Sequence, residues 1–163
     1  MPTATYEKIA TQTLSSAVSS VTFSSISGTY TDIVAVLNTK TASTVSTYMN
    51  FNGDTAGNYS FTRIYGNGTT TVSDRVGTNL TGIDVQYVGS GDGNITIVSL
   101  MNYSNTTTYK TSLTRWNTTG STGYVGANAN LWRSTAAITS IVFSNSVNFS
   151  IGSTFTLYGI KAA

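Results

Sequence analysis

Arg115-Trp116, Tyr124 and Trp132-Arg133 fall around one stretch of the chain, and rings flanked by arginines can recognise sugars. Exposed aromatic faces stack on pyranose rings, and guanidinium groups donate to sugar hydroxyls. These five residues are therefore the best candidates for a glycan site. Core packing or a subunit interface, where Trp, Tyr and Arg are also enriched, accounts for them equally well. A further arginine sits in Tyr59-Ser60-Phe61-Thr62-Arg63-Ile64-Tyr65. The two-residue period of a strand puts Tyr59, Phe61, Arg63 and Tyr65 on one side. We read Arg63 as a stem packed over rings with its head in water; a ligand-binding role is the alternative.

Side-chain catalysis has little to work with. The chain has no His and no Cys, which removes the usual general base, the commonest transition-metal ligand, thiolate nucleophiles and disulfides. Its carboxylates are Glu7, Asp32, Asp54, Asp74, Asp84 and Asp92. A glycosidase needs two of them at a defined separation. Asp54 and Asp74 are the pair to consider, yet most of the six sit at turns or strand ends, where carboxylates cap and solvate the backbone. Gly89-Ser90-Gly91-Asp92-Gly93-Asn94 reads as a plain turn, because no bidentate glutamate follows to complete a calcium loop. We assign no catalytic, cofactor-binding or metal-ligating residue and expect no enzyme.

Only 9% of the 163 residues are charged, against about 25% in a typical soluble domain. Ser, Thr, Asn and Gly cover the surface instead. With so few charges the strand edges are weakly protected against pairing, so we expect the surface to be partly covered by other subunits. A formal net charge of +2, spread over scattered Lys and Arg, gives no basic patch for nucleic acid. No apolar run approaches 18 residues, and no charged-then-apolar leader is visible at the start, so neither a membrane span nor a secretion signal is expected. The Asn-x-Ser/Thr triplets at Asn58, Asn94, Asn117 and Asn148 are what chance produces in this composition, and we expect no glycosylation.

The elements that must position these residues are strands. Residues 48–51 and 59–65 read as two half-buried strands joined by a polar Gly-Asp-Gly connection, and the pattern recurs at 21–24, 30–37, 83–88, 95–103, 109–116, 136–143 and 154–160. Residues 69–79 read as a loop or short edge strand, and 117–130 as an exposed loop. Residues 1–13 read as an N-terminal arm, frayed or ordered by a neighbour. No segment sustains a 3.6-residue apolar period and no internal repeat is visible. The expectation is an all-β chain: an arm at 1–13, then a single domain at 14–163, an antiparallel β-sandwich of jelly-roll type with about nine to eleven strands. An up-and-down barrel stays open.

Tyr30-Thr31-Asp32-Ile33-Val34, Asn52-Gly53-Asp54 leading to Asn58-Tyr59-Ser60, Trp132-Arg133-Ser134-Thr135 before Ile138-Thr139-Ser140-Ile141, and Gly152-Ser153-Thr154-Phe155-Thr156-Leu157-Tyr158-Gly159-Ile160 carry a resemblance. Together they resemble small structural proteins of tailed bacteriophages. The resemblance spans most of the chain from Val21 onward and is densest in the last segment. These are strand and turn signatures, so no site residue is carried over. The resemblance implies an outer component of the virion, made in the host cytoplasm. One expectation is a capsid decoration (cement) protein, homotrimeric and bound to the major capsid protein. The other is a tail fibre, baseplate or spike component that contacts other tail proteins and host glycans.

Overall fold

Twelve strands and no helix are present among the described residues, which are 5–88, 90–119 and 123–161 of this computed structural model, without the side chains of Val88, Gly91 and Asp92. The strands are β1 (Tyr6–Thr13), β2 (Val18–Phe23), β3 (Asp32–Thr41), β4 (Val45–Phe51), β5 (Tyr59–Gly66) and β6 (Thr71–Leu80). They continue with β7 (Ile83–Val88), β8 (Gly91–Met101), β9 (Lys110–Asn117), β10 (Val125–Trp132), β11 (Ile141–Phe149) and β12 (Thr154–Ile160). All pairings are antiparallel.

Eight strands form a large layer in the order β6-β5-β10-β9-β8-β3-β12-β1, and four form a small layer in the order β2-β11-β4-β7. A single bridge, Phe149 to Thr41, links the layers, and the sandwich closes toward a barrel at that corner. Strand β7 lies over β9 without pairing to it, which is face-to-face packing. Hairpins join β5 to β6, β8 to β9 and β9 to β10; every other connection crosses between layers, as in jelly rolls. The expected antiparallel β-sandwich is what forms, with twelve strands in place of nine to eleven.

The additional strands have physical explanations. The presumed arm is strand β1 over Tyr6–Thr13, paired with β12 along its length and bulged between Lys8 and Ala10. Ile9 and Ala10 pack against the core, a signal too short to stand out in sequence. Residues 1–4 of that arm lie outside the described residues. Strand β6 is a full ten-residue edge strand whose inward positions are only half-buried and include just Val72, Val76 and Leu80 as apolar residues. Strand β10, expected to be loop as far as residue 130, is central and pairs with both β9 and β5. Its inward positions are Gly126, Asn128, Asn130 and Trp132, whereas Val125, Ala127, Ala129 and Leu131 face out, so its polarity pattern is inverted. The remainder of that loop includes residues 120–122, outside the described set. The Gly-rich turn is shorter than expected, because β8 already begins at Gly91; its Gly89 is not described. Residues 136–140 are irregular, and β11 starts at Ile141.

Ile33, Leu37, Val98, Leu100, Phe155 and Leu157 point inward from the large layer and meet Met49, Phe51, Ile83, Ile141 and Phe143 from the small one. Each such side chain contributes about 1.5–3 kcal/mol on burial. The C-terminal segment explains itself in these terms. Gly152 takes φ +84° in the turn and Ser153 Oγ accepts the Lys40 N–H at 3.0 Å. Gly159 lies under the Tyr30 ring, where a Cβ would approach Cδ1 to 2.3 Å. Towards β9 and β10 the interior turns polar: Asn130 Nδ2 donates to Ser112 Oγ (3.0 Å) and Thr114 Oγ1 (2.9 Å), and Lys110 Nζ donates to the Thr108 and Thr135 carbonyls. The Asn130 bonds tie β9 to β10 within the large layer, while the Asn130 Oδ1 beside them is buried without a hydrogen-bond partner among the described residues.

Candidate functional site

At the end of the sandwich where β5, β7 and β9 approach each other, the layers part and leave a cleft of about 480 Å³. Strand alternation delivers Phe61, Arg63 and Tyr65 from β5 and Trp116 from β9 into it. Strand β4 adds Ser46 and Tyr48, β7 adds Asp84 and Tyr87, and Tyr124 enters just ahead of β10.

Arg63 is the floor. Asp74 stands opposite it in the β5–β6 register and holds it in a fork, Nε to Oδ1 at 2.9 Å and Nη2 to Oδ2 at 3.1 Å. Nη1 reaches Asp84 Oδ2 at 3.3 Å. The guanidinium carbon lies 5.8 Å from the Phe61 ring centre and 5.1 Å from that of Tyr65, within cation–π range. Its hydrogen bonds to the Asp74 carboxylate raise the Arg63 pKa, so its charge is fixed.

Asp84 behaves differently from Asp74. Burial pushes its carboxyl up to about 6, against the Ser46 hydroxyl (3.0 Å to Oδ2), the Arg63 charge and the Gln86 N–H (3.2 Å to Oδ1). Burial prevails because Arg63 already forms its two better hydrogen bonds with Asp74. Sequence alternation could not show this position. The register between β4 and β7 slips so that Tyr48 faces Asp84 and Thr47 faces Gln86. Val85 is thus the extra residue of a bulge, which re-aims its neighbours and leaves both Asp84 and Val85 buried.

The walls are rings. Trp116 and Tyr65 are 6.1 Å apart, Tyr65 and Tyr124 5.8 Å at 69°, and Tyr124 and Tyr87 6.1 Å at 81°, the latter two edge to face. Trp116 seats directly on Gly126, where a Cβ would come within 2.4 Å of its Cζ2, and its indole N–H donates to Asn128 Oδ1 at 3.1 Å. A glycine facing the tryptophan across the β9–β10 pair is thus required for the ring to lie flat.

The five residues singled out from sequence do not form one cluster. Trp116 and Tyr124 belong to the cleft. Arg115, next in sequence to Trp116, points to the opposite face of the large layer. Trp132 and Arg133 lie at the far end of β10, about 20 Å along the strand from Gly126. There Trp132 stacks on Tyr59 (6.1 Å, 12°) and its indole N–H donates to Asp54 Oδ2 at 2.7 Å. Arg133 donates to the Gly57 carbonyl at 3.0 Å and Ser60 Oγ at 3.2 Å, and also to the Thr78 carbonyl.

That far corner gathers Asn52-Gly53-Asp54, Asn58-Tyr59-Ser60 and Ile138-Thr139-Ser140 around Trp132 and Arg133. Asn52 and Gly53 take φ +54° and +68° in a tight turn closed by Asp54 N–H to the Phe51 carbonyl. Asn52 Oδ1 accepts the Thr139 and Ser140 N–H groups at 2.9 and 3.1 Å, and its Nδ2 donates to the Ala137 carbonyl. The Tyr59 hydroxyl accepts the Phe51 N–H and donates to the Asp54 carbonyl. Asp54 accepts from Ala56, Asn58 and Trp132, and those hydrogen bonds, Asn58 foremost, hold its carboxyl below the usual range. These groups bind one another and lock a corner. Asp54 and Asp74 therefore serve different ends of the domain. No group of three or more Asp or Glu that could hold a metal occurs among the described residues. No protein-family model matches the chain and no curated protein matches it, so the functional reading rests on these residues and their geometry.

Proposed function

We propose that the protein is a non-enzymatic structural subunit of a tailed-bacteriophage particle, a capsid decoration protein that associates as a homotrimer and holds neighbouring major capsid subunits together by contact area. The observation that carries this reading is the outer face of the large layer. Val125, Ile64, Leu113 and Met101 there are 65%, 57%, 52% and 47% exposed, next to the small residues Ala127 and Ala129. Arg115 is the one charge among the outward side chains of β9, β10 and β5. Five strands from β5 to β3, at about 4.8 Å spacing and about eight residues long, make a face of ~500 Å². Thr62, Ser99 and Thr111 also point out from this face and Asp32 and Lys40 lie at its β3 side, so its apolar part is smaller than the whole, of a size that often marks an interaction site. A standard interface needs ~800 Å² per partner, so this face supplies more than half of one.

The deciding experiment labels the protein in purified particles and images them. Hundreds of copies over the head support the cement role; a few copies at the tail replace it with the tail-component reading. Particles lacking the protein should burst at lower temperature and milder osmotic shock, and survival unchanged would sink the proposal. Leu113→Lys should abolish attachment to the shell while leaving the melting temperature of the isolated chain unchanged.

A further inference from the structure

We propose that the cleft over Arg63 is a binding site for a neutral pyranose sugar, one or two rings in size. This goes beyond the structural role above and holds whether the protein sits on head or tail. The cleft volume of about 480 Å³ lies within the about 300–1,000 Å³ typical of small-molecule sites.

The walls suit a ring with apolar C–H faces and polar edges. Tyr65, Tyr87, Tyr124 and Trp116 meet mostly at steep angles, so their faces turn towards different sides of the cleft. Tyr48 and Tyr87 are 44% and 40% exposed at the mouth. Among the described residues, the hydroxyls of Tyr48, Tyr65, Tyr87 and Tyr124 make no hydrogen bond to protein, although most other polar groups of this cleft do. Each can donate and accept. Of the five N–H groups of Arg63, three are taken by Asp74 and Asp84, which leaves two for a ligand oxygen.

The charge of the floor selects against anions. Arg63 is answered by two carboxylates, so no net positive charge draws an anion. Both carboxylates spend oxygens on Arg63, and the one negative charge left over is shared between them, which makes the cationic probe the stricter ionic control. What remains is a rigid floor of hydrogen-bonded charges, one positive against two negative, under aromatic walls with unengaged hydroxyls. That is complementary to a polyhydroxylated, uncharged ring.

The test is titration of the full chain with glucose, galactose, N-acetylglucosamine, lactose and chitobiose, followed by tryptophan fluorescence and by NMR of the tyrosine rings. Sialyllactose and tetramethylammonium serve as the anionic and cationic probes. At least one neutral saccharide should bind at millimolar or lower concentration. Tyr124→Ala and Tyr87→Ala should each weaken that binding about tenfold, with loss of a stacked ring. Tyr109→Ala, exposed outside the cleft, should leave it unchanged. Tyr87→Phe removes one hydroxyl and keeps the ring, so it keeps the test valid if an alanine variant unfolds. The proposal is overturned if no neutral probe binds at tens of millimolar. It is also overturned if binding survives in the folded cleft variants, or if either ionic probe binds more tightly.

Discussion

Replacing Asp84 with Asn should stabilise the protein at neutral pH, although it deletes a partner of Arg63. The Asp84 carboxyl titrates at about 6 in the fold against an ordinary value of 3.8. At about 1.4 kcal/mol per pH unit, that difference is worth about 3 kcal/mol. The folded pKa lies above the unfolded one, so the fold favours the protonated acid. Stability from this group is complete below about pH 3.8 and is lost as pH rises through 6. Asn resembles the protonated acid at every pH and carries no charge to desolvate. Arg63 is not stranded by the change, since Asp74 still holds it through two hydrogen bonds. The usual penalty for breaking a buried ion pair, an uncompensated charge, therefore does not apply. Urea unfolding of wild type and Asp84→Asn in parallel from about pH 3 to pH 8 reads the difference, and groups common to both proteins cancel. The variant's advantage should grow by about 3 kcal/mol from the acid end to pH 7, with most of the change between pH 4 and 6. A difference that stays flat, or that turns against the variant as pH rises, would refute the claim that burial outweighs Arg63 at this site.

Three further substitutions test the packing. Gly126→Ala forces a Cβ to within 2.4 Å of the Trp116 ring, and should cost about 1–3 kcal/mol in urea unfolding and shift tryptophan emission. Trp132→Phe deletes the hydrogen bond to Asp54 and should cost about 1–3 kcal/mol at pH 7. Because the Asp54 carboxyl is held low, its stabilisation is present above the ordinary carboxylate range and lost as pH falls, so that cost should shrink in strong acid, a trend that melts at several pH values would reveal. Asn52→Ala leaves the Thr139 and Ser140 N–H groups without their acceptor and puts alanine at φ +54°; calorimetry should show a loss of about 2–4 kcal/mol.

Where inward positions are apolar and strictly alternate, the sequence was readable. Strand β8 turns Val98 and Leu100 inward and Ile95, Ile97 and Met101 outward, and β5 sets Arg63 beside Phe61 and Tyr65, as the two-residue period requires. Strand β10 defeats the same rule, because Asn128 and Asn130 are inside and alanines outside. Asn128 is held there by Trp116 and by the Asp84 carbonyl, partners invisible before the layers are stacked. The cleft was half legible. Arg63 and its ring neighbours lie on one strand, but Asp84 arrives from the other layer through a bulge that period-2 reasoning cannot place. Conversely, Trp116 and Trp132 looked adjacent because a hairpin brings their sequence positions close, while β10 carries them to opposite ends.

The position of β12 bears on how the chain reaches this state. It is hydrogen-bonded on both flanks, to β3 and to β1, with Thr11 and Thr156 in contact across 145 positions. On the ribosome β12 emerges after the other eleven strands, so neither flank can be satisfied until all of those have been made. Until then β3 exposes one edge along Ile33-Val34-Ala35-Val36-Leu37, an apolar template for another nascent chain. Pairings this distant in sequence also form slowly. Productive folding therefore competes with aggregation in the interval before β12 docks, and crowding of translating chains, more than the stability of the finished sandwich, should set the soluble yield.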